Sequence, residues 1–157
     1  MKKIIICYSR TGKTKLVAET IAKKLNCEIV EIKDKKNRSG IIRWLKAGRD
    51  ATFQKPTETE PESFNFSLYD LIYIGTPVWA FKPTPAISTF INNCNLTNKK
   101  IILFLTAGGT FGKAVKILAE KIISLGGQIV GIILIKTAGK SREKIIKETE
   151  ILFKTNL

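Results

Sequence analysis

The stretch KKIIICYSRTGKT, residues 2–14, joins a nearly continuous apolar run to a short loop of hydroxyls around a glycine. An apolar run without polar alternation is the pattern of a strand covered on both faces, as strands of parallel sheets are. Beyond it Leu16, Val17, Ile21, Ala22 and Leu25 return at helical spacing, so residues 12–25 read as a helix. Strand, tight loop and helix together make the first half of a parallel crossover unit.

The same alternation continues along the chain. Further strands are expected at residues 28–33 (less buried, around Val30), 69–75 (YDLIYIG), 101–106 (IILFLT) and 129–136. Helices are expected at 41–51, at 83–93 with prolines in the first turn, at 112–125 ending on Gly126 and Gly127, and at 141–153 capped by Ser141. Residues 53–67, with Pro56, Pro61 and many Thr and Glu residues, read as loop. Parallel pairing needs crossovers, so the chain is expected to be one doubly wound α/β domain over residues 1–157, with helices on both faces of the sheet.

Composition narrows the chemistry. The 157 residues, 44% hydrophobic and 25% charged, suit one globular domain. Cys7, Cys27 and Cys94 are odd in number and widely spaced, which argues for reduced thiols rather than a disulfide framework. The chain has no histidine, and this excludes a Ser-His triad and a histidine-based hydrolytic metal site. No signal segment leads the chain and the apolar run 129–135 is too short to cross a bilayer, so a cytoplasmic protein is expected. The formal net charge of +14 favours acidic partners; without an aromatic-interleaved basic stripe, nucleic acid is not the expected one.

In open α/β sheets ligands bind beyond the carboxyl ends of the strands. The loop Ser9-Arg10-Thr11-Gly12-Lys13-Thr14 stands there, at the start of a helix whose N–H groups and dipole favour a phosphate. Its hydroxyls can add hydrogen bonds, and Gly12 lets the backbone come close. The alternative is an ordinary helix cap with incidental Ser and Thr residues. A nucleoside-triphosphate loop is excluded, because the glycine it requires five residues before Gly12 is Cys7.

S-R-T-G-K-T after a first strand resembles the T/S-x-T-G-x-T phosphate loop of the flavodoxin family. Thr76-Pro77-Val78-Trp79-Ala80 after the third strand is similar to that family's second flavin loop, and Thr106-Ala107-Gly108-Gly109-Thr110 to its third. The resemblance covers essentially the whole chain. It implies FMN as cofactor and a five-stranded parallel sheet in the order 2-1-3-4-5. In that frame Thr76 to Ala80 line the isoalloxazine ring, with Trp79 stacked on it or else serving as a core tryptophan. Ala107 to Thr110 would offer backbone N–H groups to the pyrimidine edge. The straight run 129–136 resembles the short-chain class, and residues 36–54 a subgroup with a helix after the second strand. Arg38, Arg43, Lys46 and Arg49 there form either a docking face or the solvated side of that helix.

The chain departs from the electron-carrying flavodoxins in three ways. Its third loop offers only Phe111 as an aromatic, no acid follows Trp79, and its charge is basic. A cation such as Lys82 beside the ring would favour the reduced, negatively charged flavin and raise its potential. Two functions follow from the resemblance: an electron carrier serving an acidic redox protein, or an NAD(P)H-dependent FMN reductase of quinones or other small acceptors. A domain of this fold without flavin is a third.

Overall fold

The computed structural model describes residues 1–35 and 56–155. The helix expected at 41–51 and its basic residues Arg38, Arg43, Lys46 and Arg49 lie outside the described residues.

The opening strand is β1 (Lys3–Tyr8), and its alternation explains its composition. Ile4 and Ile6 enter one apolar cluster, while Ile5 and Cys7 enter the cluster on the opposite face of the sheet. With no side facing water, no polar residue interrupts the run. The helix α1 (Lys13–Leu25) follows, then β2 (Glu28–Asp34), β3 (Thr59–Glu60), β4 (Leu71–Trp79) and β5 (Lys82–Pro83). The chain continues through α2 (Pro85–Asn92), β6 (Lys100–Ala107), α3 (Ala114–Ser124), β7 (Gln128–Lys136) and α4 (Arg142–Thr155).

The sheet runs β3-β2-β1-β4-β6-β7, with β5 paired to β4. Its five long strands are parallel and, numbered among themselves, stand in the order 2-1-3-4-5. The five-stranded expectation is corrected to seven by two short antiparallel additions. β3 pairs Glu60 and Thr59 with Lys33 and Asp34 of β2, inside the stretch expected to be loop. β5 pairs Lys82 with Trp79. Neither two-residue strand carries an apolar alternation from which it could be read.

Helices α1 and α4 contribute Leu16, Val17, Ile21, Ile145 and Phe153 to the cluster on one face. Helices α2 and α3 contribute Ile87, Phe90, Ile91, Leu118 and Ile122 to the other. Helix ends follow local chemistry. Pro85 takes the first helical position of α2, where its missing N–H is not needed. α3 ends with Gly126 at φ 83°, and the N–H groups of Gly126 and Gly127 donate to the carbonyls of Ile123 and Ile122.

The third long strand is longer than its sequence pattern indicated. Gly75 lies within β4, opposite Phe104 of β6, and a Cβ there would run into the Phe104 ring. The glycine reads as the end of the strand, yet it sits within it and makes room for an aromatic ring on the neighbouring strand. Residues 76–79 are therefore strand, and the turn comes only at Ala80 and Phe81.

Candidate functional site

Strand order reverses between β1 and β4, and a cavity of about 340 Å³ opens at their carboxyl ends. That volume is within the ~300–1,000 Å³ of small-molecule sites. Arg10, Thr11, Lys13 and Thr14 form one wall, and Pro77, Val78 and Trp79 another. Thr106, Ala107 and Gly108 close it from β6. Three separate stretches of sequence thus meet in one place.

The first wall suits an anion. Gly12, with φ 83°, turns the chain into α1, and no side chain caps the helix. The N–H groups of the first turn therefore keep their donor capacity for a ligand. Leu16 N–H returns to the Gly12 carbonyl at 2.9 Å, which starts the helical ladder. A Cβ on Gly12 would meet nothing nearby, so its left-handed backbone is what calls for glycine. Ser9 supplies a buried hydroxyl with no hydrogen-bond partner within the protein. Such an orphan in a loop beside an anion-binding helix end fits a ligand phosphate oxygen.

The other side groups have defined places. Thr14 and Thr106 share a hydrogen bond between their buried hydroxyls at 2.7 Å, tying the start of α1 to β6. Lys13 Nζ donates to the Thr137 carbonyl at 3.2 Å. The Trp79 ring meets Tyr8 edge-on, with centroids 5.6 Å apart, and the Arg10 guanidinium lies 5.7 Å from its centre. Trp79 is thus oriented from two sides and still forms part of the cavity wall. Gly108 and Gly109 have open space where a Cβ would stand, as a closely approaching ligand requires.

Not every expected residue lines the cavity. Thr76 is fully buried, and its hydroxyl bonds to the Pro77 carbonyl and to Thr84. Ala80 sits at the exposed turn with φ 46°. Gly109 and Thr110 lie beyond the wall, where Thr110 Oγ1 accepts from Gly112 N–H at 3.2 Å. Phe111 packs against the core beside α2 and α3. Lys82 stands beside Trp79 on β5, outside the cavity wall.

One wall residue escaped the sequence reading. Thr137, just after β7, lines the cavity and bonds to the Ala107 carbonyl through both its N–H and its hydroxyl. The signal was available: it is a hydroxyl residue at the end of the fifth parallel strand, where all carboxyl ends gather.

The chain as a whole is similar to known proteins. A comparison with curated protein sequences gave no match. Among solved structures, the chain is similar to a provisionally described flavoprotein from Bacteroides uniformis, at 24% identity and a TM-score of 0.79, covering 95% of this chain and 97% of that one. A flavoprotein from Lactobacillus acidophilus, solved in complex with FMN, is 26% identical with a TM-score of 0.68, over 85% and 92% of the two chains. The flavodoxin of Megasphaera elsdenii shares the fold at 16% identity and a TM-score of 0.59, over 97% and 98%. The flavodoxin family model matches residues 2–138, a span that takes in every wall of the cavity from Arg10 to Thr137, and the chain belongs to that family.

Proposed function

We propose that this protein is an electron carrier that holds FMN in the cavity between the phosphate loop and Trp79. FMN is the cofactor of the family to which the chain belongs, and the residues present fit it. The observation that carries the reading is a cavity with two chemically different ends. Uncapped N–H groups, Arg10, Thr11 and Lys13 suit a phosphate; Pro77, Val78 and Trp79 suit a flat apolar ring.

When bound, the flavin supplies the redox chemistry, and the protein supplies position and electrostatics. Thr11 and the first turn of α1 hold the phosphate. Trp79, held by Tyr8 and Arg10, covers the ring and keeps water from it. The backbone from Ala107 to Gly108 borders the space for the pyrimidine edge. Among the described lining residues none is a carboxylate or an imidazole, the side chains that most often carry a proton to or from a substrate. That supports a carrier over an acid–base catalyst.

A second reading, an NAD(P)H-dependent reductase of small acceptors, draws on Phe111. Because its ring packs toward the core, it does not cover the cavity as an aromatic of the third loop would. One experiment divides the two. The FMN-loaded protein is titrated anaerobically with dithionite and, separately, with NADPH while the flavin spectrum is followed. Bleaching by dithionite alone is expected; rapid bleaching by NADPH would replace the carrier with the reductase. A colourless protein that ignores added FMN would remove both.

A further inference from the structure

The β4–β5 hairpin has a feature that the cavity does not use. Phe81, at its tip, is 60% exposed. Its φ is 63° and that of Ala80 is 46°, so both central residues of a two-residue turn are left-handed. That backbone costs an L-residue roughly 1–2 kcal/mol and is usually given to Asn-Gly. It is braced from the next loop. Lys113 N–H donates to the Phe81 carbonyl at 3.0 Å, and Gly112 leaves open the place where any Cβ would strike the Cβ of Phe81. A large apolar ring is thus mounted on a supported turn and left to solvent.

The hairpin and the loops next to it carry cations. Lys82 follows in the chain, Lys113 is tied to the turn, and Arg10 stacks on neighbouring Trp79. The described turns that flank the hairpin and the cavity, residues 9–12, 79–84, 108–113 and 137–141, contain no aspartate or glutamate. A small acceptor inside the cavity would not reach Phe81, which is not part of the wall.

We infer that this end of the molecule is a docking face for an acidic electron-transfer protein, anchored on Phe81 and steered by Arg10, Lys82 and Lys113. The inference rests on the carrier reading and names the chemistry of the partner. An aromatic anchor carries affinity at a protein interface, while charges around it set encounter rate and partner sign. An acidic surface meets complementary charge here; a basic one meets repulsion.

The test uses the FMN-loaded full chain, with a reduced acidic [2Fe–2S] ferredoxin as probe. Two ferredoxins, giving one electron each, and a proton from solvent reduce one FMN. Stopped-flow absorbance then reads the second-order rate. This rate is expected to fall by about tenfold or more between low and physiological salt. Lys113→Glu, which places a favourable charge at the start of α3, should slow it by about tenfold at low salt. Phe81→Asn, which keeps a left-handed backbone accessible, should slow it at every salt concentration. Both variants should bind FMN normally and be reduced by methyl viologen as the parent is. A salt-independent ferredoxin rate, parental rates in both variants, or equal blocking by a thymidine oligonucleotide would overturn the docking face. Failure to load FMN, or to accept electrons from the viologen, would instead sink the carrier reading beneath it.

Discussion

Thr14 and Thr106 come from residues far apart in sequence, yet their hydroxyls meet at 2.7 Å in a place closed to water. Replacing either by valine leaves the other polar and unpaired, at about 1–3 kcal/mol. Replacing both should cost clearly less than the sum of the two. Urea unfolding of the single and double variants measures that coupling, and additive losses would show that the pair does not matter. Lys82 sits beside Trp79 in register. Lys82→Ala should therefore lower the reduction potential of bound FMN, read by spectroelectrochemical titration, since the cation favours the negatively charged reduced ring. The place of single residues was legible where a type and a strand end coincided, as for Arg10, Thr11 and Thr14, which stand together in the cavity wall. The role of Thr76 was not, because its hydroxyl is claimed by Thr84, eight residues on, through a hairpin that the sequence pattern does not announce.

At the level of elements, β4 is where pattern and structure parted. Its apolar run stops at Gly75, but the strand continues to Trp79 because β6 pairs with it as far as Pro77 and β5 pairs with Val78 and Trp79. Gly75→Ala should destabilise the protein by about 1–3 kcal/mol through overpacking against Phe104. Phe104→Leu in the same chain should recover part of that loss, as a denaturant series would show. The turn that follows makes the opposite prediction. Ala80→Asn combined with Phe81→Gly gives both left-handed positions the residues that suit them. The double variant should gain about 1 kcal/mol of stability, seen as a higher urea midpoint with an unchanged slope. The long helices and strands were legible because each has an apolar face repeated over many residues. β3 and β5 were not, since two residues hold no period.

At the scale of the whole molecule, burial favours the neutral form of the three thiols and of the Tyr69 and Tyr73 phenols. Burial pushes the Cys7 thiol from 9.0 up to about 12, with Glu31 adding to the effect, and burial pushes the Tyr73 phenol from 10.0 to about 12. Burial raises Cys27 and Cys94 in the same direction. Groups raised in the folded state add stability that is complete below their unfolded values and lost as pH climbs toward the folded ones. Melting temperature should therefore decline from about pH 9 toward 12, and Cys7→Val should flatten the first part of that decline. A parent and variant that fall together would refute the role of Cys7. The order of the long strands came from the three loops taken together rather than from any one of them. The site also has an order in time. Its wall begins at Arg10 and closes only with Thr137, which holds Lys13 by its carbonyl. At the ~5–20 residues per second of protein synthesis, roughly 6–25 s separate the two on the ribosome. The nascent chain can present the loop at Ser9 to Thr14 early, but synthesis must pass Thr137 before the cavity has all its walls.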